Sequence, residues 1–323
     1  MNSSQWFSSP QPNTSFGAIT VEVKQTNVAT PSPTSRTRQP SVTVAPPDDN
    51  LPSGYIVYSS NEHTKHVDQL YLLMLESGLE IRLTPYTDET KKRYLSWNQA
   101  TEQLAYVSQD SAKVTFARKQ HLNKYVFADA YLIVLNKIYD PILSPDGQQI
   151  AYTRNSAGEQ GIFIADLDTF TEKRLSALNA VDPAWSPDGS QLVFSVLRDG
   201  QYNFMQIDIT GQTIRFEYVS PLASERDVDW HPNGQELVLT VSKDGYDELY
   251  RYQIDARKLT QLTNMNSGID EPDWSPDGNH IVFISDKSGN RDVWIIGRDG
   301  KGLRQLTDTP AREQFPIWVS EYD

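Results

Sequence analysis

Cysteine is absent from the 323 residues, so neither a disulfide framework nor a thiolate metal site is available. That absence does not locate the chain, because a large domain with its own core folds without disulfides in any compartment. No apolar run approaches the roughly 18 residues that would suggest a membrane span. Positive charge is in short supply: 29 Lys and Arg stand against 42 Asp and Glu, a formal charge of −13. Nucleic acid and anionic lipid are poor partners for such a chain, since both are met by basic clusters. A protein partner with a basic or mixed basic and apolar contact surface suits the charge. The start Met1-Asn2-Ser3-Ser4-Gln5-Trp6-Phe7 lacks the charged and apolar stretches of a signal peptide. Either the chain stays in the cytoplasm, or an export segment or anchor lies upstream.

Large apolar groups are also scarce in residues 1–50, which are rich in Ser, Thr, Pro, Gln and Asn. Such a segment buries too little surface to offset its ordering entropy, so the composition predicts a disordered, partly extended tether. Two features interrupt it. Trp6-Phe7 is an aromatic pair in a polar context, a candidate docking element, and Ile19-Thr20-Val21-Glu22-Val23 alternates like a short strand able to add to a sheet edge. The alternative is a tail with incidental apolar residues.

What is abundant, from residue 51 to 323, is repetition. Trp185-Ser186-Pro187-Asp188-Gly189 recurs as Trp274-Ser275-Pro276-Asp277-Gly278 and, softened, as Trp230-His231-Pro232-Asn233-Gly234. Leu143 keeps the turn without the Trp; Trp97 keeps the Trp without the turn; Trp318 closes the series. These six anchors are spaced 46, 42, 45, 44 and 44 residues apart, a period that marks propeller blades. In Ser-Pro-Asp-Gly, Pro presets φ, Asp bonds back to nearby backbone and Gly takes the left-handed conformation. An apolar, β-rich triplet follows each turn, as in Leu192-Val193-Phe194 and Ile281-Val282-Phe283. A polar turn and a third strand come next, and a fourth ends in Leu-Thr or its equivalent, as at Leu262-Thr263 and Leu306-Thr307. The expectation is an all-β, six-bladed β-propeller of four-stranded blades. The strand around Trp318 completes the sheet begun at Tyr55 and closes the ring, leaving no unpaired blade.

One blade departs from this pattern. Between Leu104 and Leu143 the Gly turns are missing, and Lys113, Arg118, Lys119, His121 and Lys124 follow closely on Lys91-Lys92-Arg93. This basic concentration is either a docking surface or an eroded repeat with a solvated face.

The Trp-Ser-Pro-Asp-Gly unit, its apolar triplet and its Leu-Thr ending resemble the propeller domain of the TolB family. The resemblance covers residues 55–318. It implies a periplasmic or envelope-associated setting, and a protein partner held over the channel mouth, as TolB holds the peptidoglycan-associated lipoprotein. TolB carries an α/β domain before its propeller; the 50 residues here are too low in complexity to be that domain.

Catalytic signatures are lacking. There is no Gly-x-Ser-x-Gly elbow and no Gly-rich phosphate loop. Of the five histidines, His231 and His280 occupy repeat positions, while His63 and His66 would need further ligands to hold a metal, and no cofactor is expected. Three residues before each anchor, however, stand Tyr94, Asp140, Asp182, Asp227, Glu271 and Phe315, with Arg93, Arg226 and Asp270 adjacent. In a propeller these positions converge around one mouth of the channel. Four acids and two aromatics there suit a cation, Ca2+ among them, or a basic and partly apolar peptide. The competing reading is that each acid bonds backbone groups of the next blade. The sequence therefore predicts a non-catalytic protein-binding scaffold. The alternatives are a propeller enzyme acting on carbohydrate, as lyase or hydrolase, and a small-ligand sensor domain.

Overall fold

A computed structural model describes residues 20–22, 52–62, 67–84, 91–108, 113–119, 127–134, 138–156, 159–176, 179–216 and 224–319. Trp6, Phe7, His63, His66 and His121 lie outside these residues. Strands account for all regular structure among them. They form antiparallel meanders: five four-stranded sheets, and one sheet of five strands. A ring of small antiparallel sheets is a β-propeller.

The innermost strands are Lys92–Asn98, Ile138–Leu143, Ala180–Trp185, Ser224–Trp230, Ile269–Trp274 and Glu313–Val319. Each of the first five opens its own sheet. The sixth pairs with Tyr55–Ser60, with Tyr55 opposite Val319 and Ile56 opposite Trp318, so the two ends of the propeller share one blade. That pairing removes the edges an open ring would present. It also brings Gly54 under the Trp318 indole. Gly54 has φ +131°, and a Cβ there would stand 2.9 Å from Trp318 Nε1, so the residue cannot carry a side chain.

Each Ser-Pro-Asp-Gly turn is held in the same way. Ser186 Oγ donates to Asp188 Oδ1 at 2.6 Å and accepts the Gln191 N–H at 3.0 Å, while the Ser190 N–H reaches Asp188 Oδ1 at 3.0 Å. Ser144 with Asp146 and Ser275 with Asp277 repeat the arrangement. The Thr of the Leu-Thr ending acts comparably, and the Thr263 and Thr307 hydroxyls accept the N–H of Leu249 and Val293 at 2.8 and 2.9 Å. His231 substitutes for the turn Ser, accepting the Asn233 N–H on Nδ1 and placing Nε2 3.0 Å from Gly278 O. The apolar triplets form the core, with Leu192, Val193, Phe194, Ile281, Val282 and Phe283 completely buried. Five of the anchors, Leu143, Trp185, Trp230, Trp274 and Trp318, are buried beside them.

One expectation is corrected: the blades are not uniformly four-stranded, because the alternating stretch around Thr20 joins a sheet edge. Thr20–Glu22 forms a strand against Phe127–Val134, with Thr20 opposite Val134 and Glu22 opposite Leu132. The physical reason lies in edge length. The other sheets end in strands of two to four residues, whereas Phe127–Val134 has eight, an edge long enough to recruit another strand. The basic run is also corrected in part. Lys92 is buried, with Nζ directed to Ser108 Oγ, so it does not belong to a solvated basic face, and Arg93 pairs with Asp68 at 2.8 Å.

Trp318 packs with Ile56, Tyr58, Val282 and Ile284, spanning the closing blade and its neighbour. Trp318→Ala is expected to cost about 3–5 kcal/mol, because a buried indole is lost and the cavity collapses only partly. Urea unfolding checks this; a loss below about 1 kcal/mol would show that ring closure does not rest on this contact.

The channel mouth as candidate functional site

The six ring positions share one backbone device. Tyr94, Asp140, Asp182, Asp227, Glu271 and Phe315 all have positive φ, between 47° and 57°. At each, the innermost strand slips register against its neighbour: Val181 faces Ser195 and Ala184 faces Val193, so Asp182 and Pro183 together oppose Phe194. The same shift occurs in the other five blades. This is a β-bulge, in which one residue bends the strand and leaves the ladder. It explains why proline follows the ring residue at Pro141, Pro183, Pro272 and Pro316, since a bulged position needs no ladder N–H. A non-glycine residue in the left-handed region is strained, and six equivalent instances converge here.

The bulges bring the ring residues together around a cavity of about 630 Å3. All six sequence-predicted residues line it. They are half-buried, open to solvent through the mouth and enclosed by strands elsewhere. Tyr94 lies 4.7 Å from Phe315 and meets Tyr139 edge-on at 5.9 Å, centroid to centroid, which makes one wall aromatic. The opposite wall is acidic. Arg93, Arg226 and Arg312 complete the lining, and Arg291 stands behind it, paired with Asp270 and 3.5 Å from Glu271. Arg226 sits 3.5 Å from Asp247 and 4.0 Å from Asp270.

Both readings of the acids find support in the geometry, at different positions. Glu271 Oε2 accepts the Phe315 N–H at 2.5 Å, and the Glu271 N–H in turn bonds the Asp227 carboxylate. These two acids hold the backbone of the next blade. Asp140 and Asp182 instead hydrogen-bond each other. Burial pushes the Asp140 and Glu271 carboxyls up to about 7, and raises those of Asp182 and Asp227 well above the carboxylate range. Asp182 therefore carries the proton that it shares with Asp140.

The residue just before three of the anchors does related work that the sequence reading missed. Ser96 Oγ accepts the Leu143 N–H at 3.1 Å, Asp229 accepts the Trp274 N–H at 3.0 Å, and Asp273 accepts the Trp318 N–H at 2.8 Å. The available signal was a polar residue at a place where other repeats carry Ala184 or Ile317. Gln314 and Arg312 were also missed, lying beside a ring position rather than on one. Among the described residues, no group of three or more His, Asp or Glu side chains is placed to hold a metal ion. No described helix is long and apolar enough to cross a membrane.

Comparison with known proteins agrees with this geometry. Residues 224–322 match the family model described as the TolB beta propeller domain. Over that stretch the chain resembles the TolB β-propeller family. The TolB of Acinetobacter baumannii superposes with a TM-score of 0.69 at 18% identity, over 83% of this chain and 67% of that one. A chain of a nidogen/laminin complex gives 0.59 at 10% identity, over 82% and 97%. An oligogalacturonate lyase in complex with manganese gives 0.52 at 15% identity, over 79% and 74%. At these identities the likeness is one of fold. No curated protein matches by sequence.

The raised carboxyls of this ring have a measurable consequence. A group whose folded value lies above its unfolded one stabilises fully at low pH and loses that contribution as pH rises through the folded value. Asp140 and Glu271, near 7 in the fold, set the window from about 4 to about 7. The melting temperature should fall across that interval, and Asp182→Asn should flatten the fall. A melting temperature that climbs steadily from pH 5 to pH 8 would contradict the assignment.

Proposed function

We propose that this propeller is a non-catalytic scaffold that presents its channel mouth to another protein, in a cell-envelope or membrane-associated complex outside the cytoplasm. One observation carries the reading: an open cavity with an aromatic wall facing an acidic one, rimmed by arginines, on a ring closed through its own terminal strand. Such a mouth is pre-organised, so a partner docks without the ordering cost of shaping it. Likeness in fold to TolB and to a chain of a protein–protein complex is consistent with the reading. Asp227 and Glu271 already serve backbone N–H groups, which suits recognition better than turnover.

A second reading rests on the Asp140–Asp182 pair. One protonated and one ionised carboxyl in a cavity is an arrangement that general acid–base chemistry on a carbohydrate uses. Turnover of a sugar polymer that is lost in Asp182→Asn would establish it. A small-ligand sensor, or Ca2+ held by the ring acids, would show instead as saturable thermal stabilisation by that ligand.

Co-purification from the native source tests the scaffold. Since Asp227 and Glu271 support the fold, the mouth variants are Asp140→Asn with Asp182→Asn, and Tyr94→Ser. A partner captured by the intact chain and lost from both folded variants is the expected result. A partner retained by both docks elsewhere and overturns the reading.

A further inference from the structure

The ring acids do not explain Gln314. This residue lies between Glu313 and Phe315 on the closing strand and borders the mouth cavity. It is only 6% exposed, and its Oε1 meets no hydrogen-bond donor among the described residues. A buried acceptor without a donor carries a desolvation cost that a ligand N–H would relieve. Asp140 lines the same mouth and forms no ion pair with an arginine among the described residues, while the guanidinium of Arg226 acts on Asp182 and Asp227, and that of Arg291 on Glu271. Asp140 also adjoins the aromatic wall, since its strand packs against that of Tyr94 and Tyr139 meets the Tyr94 ring edge-on. An unrelieved acceptor, an acid with no arginine ion-paired to it and an aromatic face together describe a seat for a donor-rich organic cation.

We infer that the mouth seats one ammonium or guanidinium group, such as the Lys or Arg side chain of a partner, against Asp140, Gln314 and the Tyr94 wall, and that seating it releases a proton. The inference rests on the mouth being the binding surface and names the chemistry that it recognises. The proton that leaves is Asp140's own, carried below about pH 7 while the site is empty; Asp182 keeps the proton of the pair, and the cation takes the place of the one lost. The charged and titratable groups facing the pair from neighbouring strands are Asp227, Asp270, Glu271, Arg93, Arg226, Arg291, Arg312, Tyr94, Tyr139 and Tyr202. Arginine stays charged throughout neutral pH, so the change in the mouth comes from its carboxyls. Asp140, near 7, is ionised in about a tenth of molecules at pH 6 and about nine tenths at pH 8.

N-acetyl-arginine amide and N-acetyl-lysine amide, with uncharged N-acetyl-citrulline amide as control, are titrated into the full chain and followed by NMR. The cationic probes should bind saturably, about tenfold more tightly at pH 8 than at pH 6, and the citrulline probe should not bind. Asp140→Asn should abolish the pH dependence, and Gln314→Leu should weaken binding at both pH values, with folding of each variant confirmed by its melting temperature. Equal binding of the citrulline probe, equal affinity at the two pH values, or indifference to both substitutions overturns the inference. Failure here is separable from failure of the scaffold. A partner lost from the mouth variants but insensitive to pH, and not displaced by N-acetyl-arginine amide, sinks the cation seat alone. A partner retained by those variants sinks the scaffold, while the probe titration still decides the seat.

Discussion

The bulge on each innermost strand is the constraint on which the rest of the structure depends. A regular strand would alternate its side chains between the two faces of the blade. By placing one residue at positive φ, the bulge turns the ring residue into the mouth and frees the next position for proline. It also brings the carboxylate of one blade within reach of the N–H of the next, as Glu271 and Phe315 show. Site and scaffold are therefore one piece of geometry. Strain at a ring position is over-determined by inter-blade bonds, which is the condition under which such strain persists.

The strongest expectations came from turn chemistry, where local rules suffice. Ser186, Asp188 and Gly189 specify their turn whatever surrounds them, and so the repeat, its phase and the ring positions were legible. The pairing of Glu313–Val319 with Tyr55–Ser60 was legible because the chain begins and ends partway through a unit. What escaped was non-local. Nothing near Thr20 announces that an eight-residue edge at Phe127–Val134 lies opposite it. Lys92 and Arg93 read as a basic run, yet one turns inward and the other finds Asp68, twenty-five residues earlier. The split among the four acids also depends on neighbours from other blades, so a repeat position alone could not separate Asp227 and Glu271 from Asp140 and Asp182.

Net charge misleads in the same way. A formal charge of −13 suggests an acidic surface throughout, but much of the acid at the mouth lies within the ring and is neutral or paired. The turn aspartates, Asp188 and Asp277, are held low by the hydroxyl and backbone donors of their own turns and stay ionised. The molecule therefore carries ionised acid at the ends of its innermost strands opposite the mouth, and protonatable acid beside arginines at the mouth.

Broken symmetry then gives the mouth a direction. A ring of six identical acids would offer every ligand six equivalent orientations and would repel itself unless neutralised. The two aromatics stand on the two blades that depart most from the repeat: Tyr94 on the five-stranded sheet, and Phe315 on the blade shared by both ends of the propeller. These blades are neighbours, so their rings touch and form a single wall. Relaxing the repeat at adjacent blades produces a polar side and an apolar side where exact repetition would produce neither. A mouth of that kind discriminates by orientation as well as by charge, because a ligand with one cationic end and one apolar face fits it in one way.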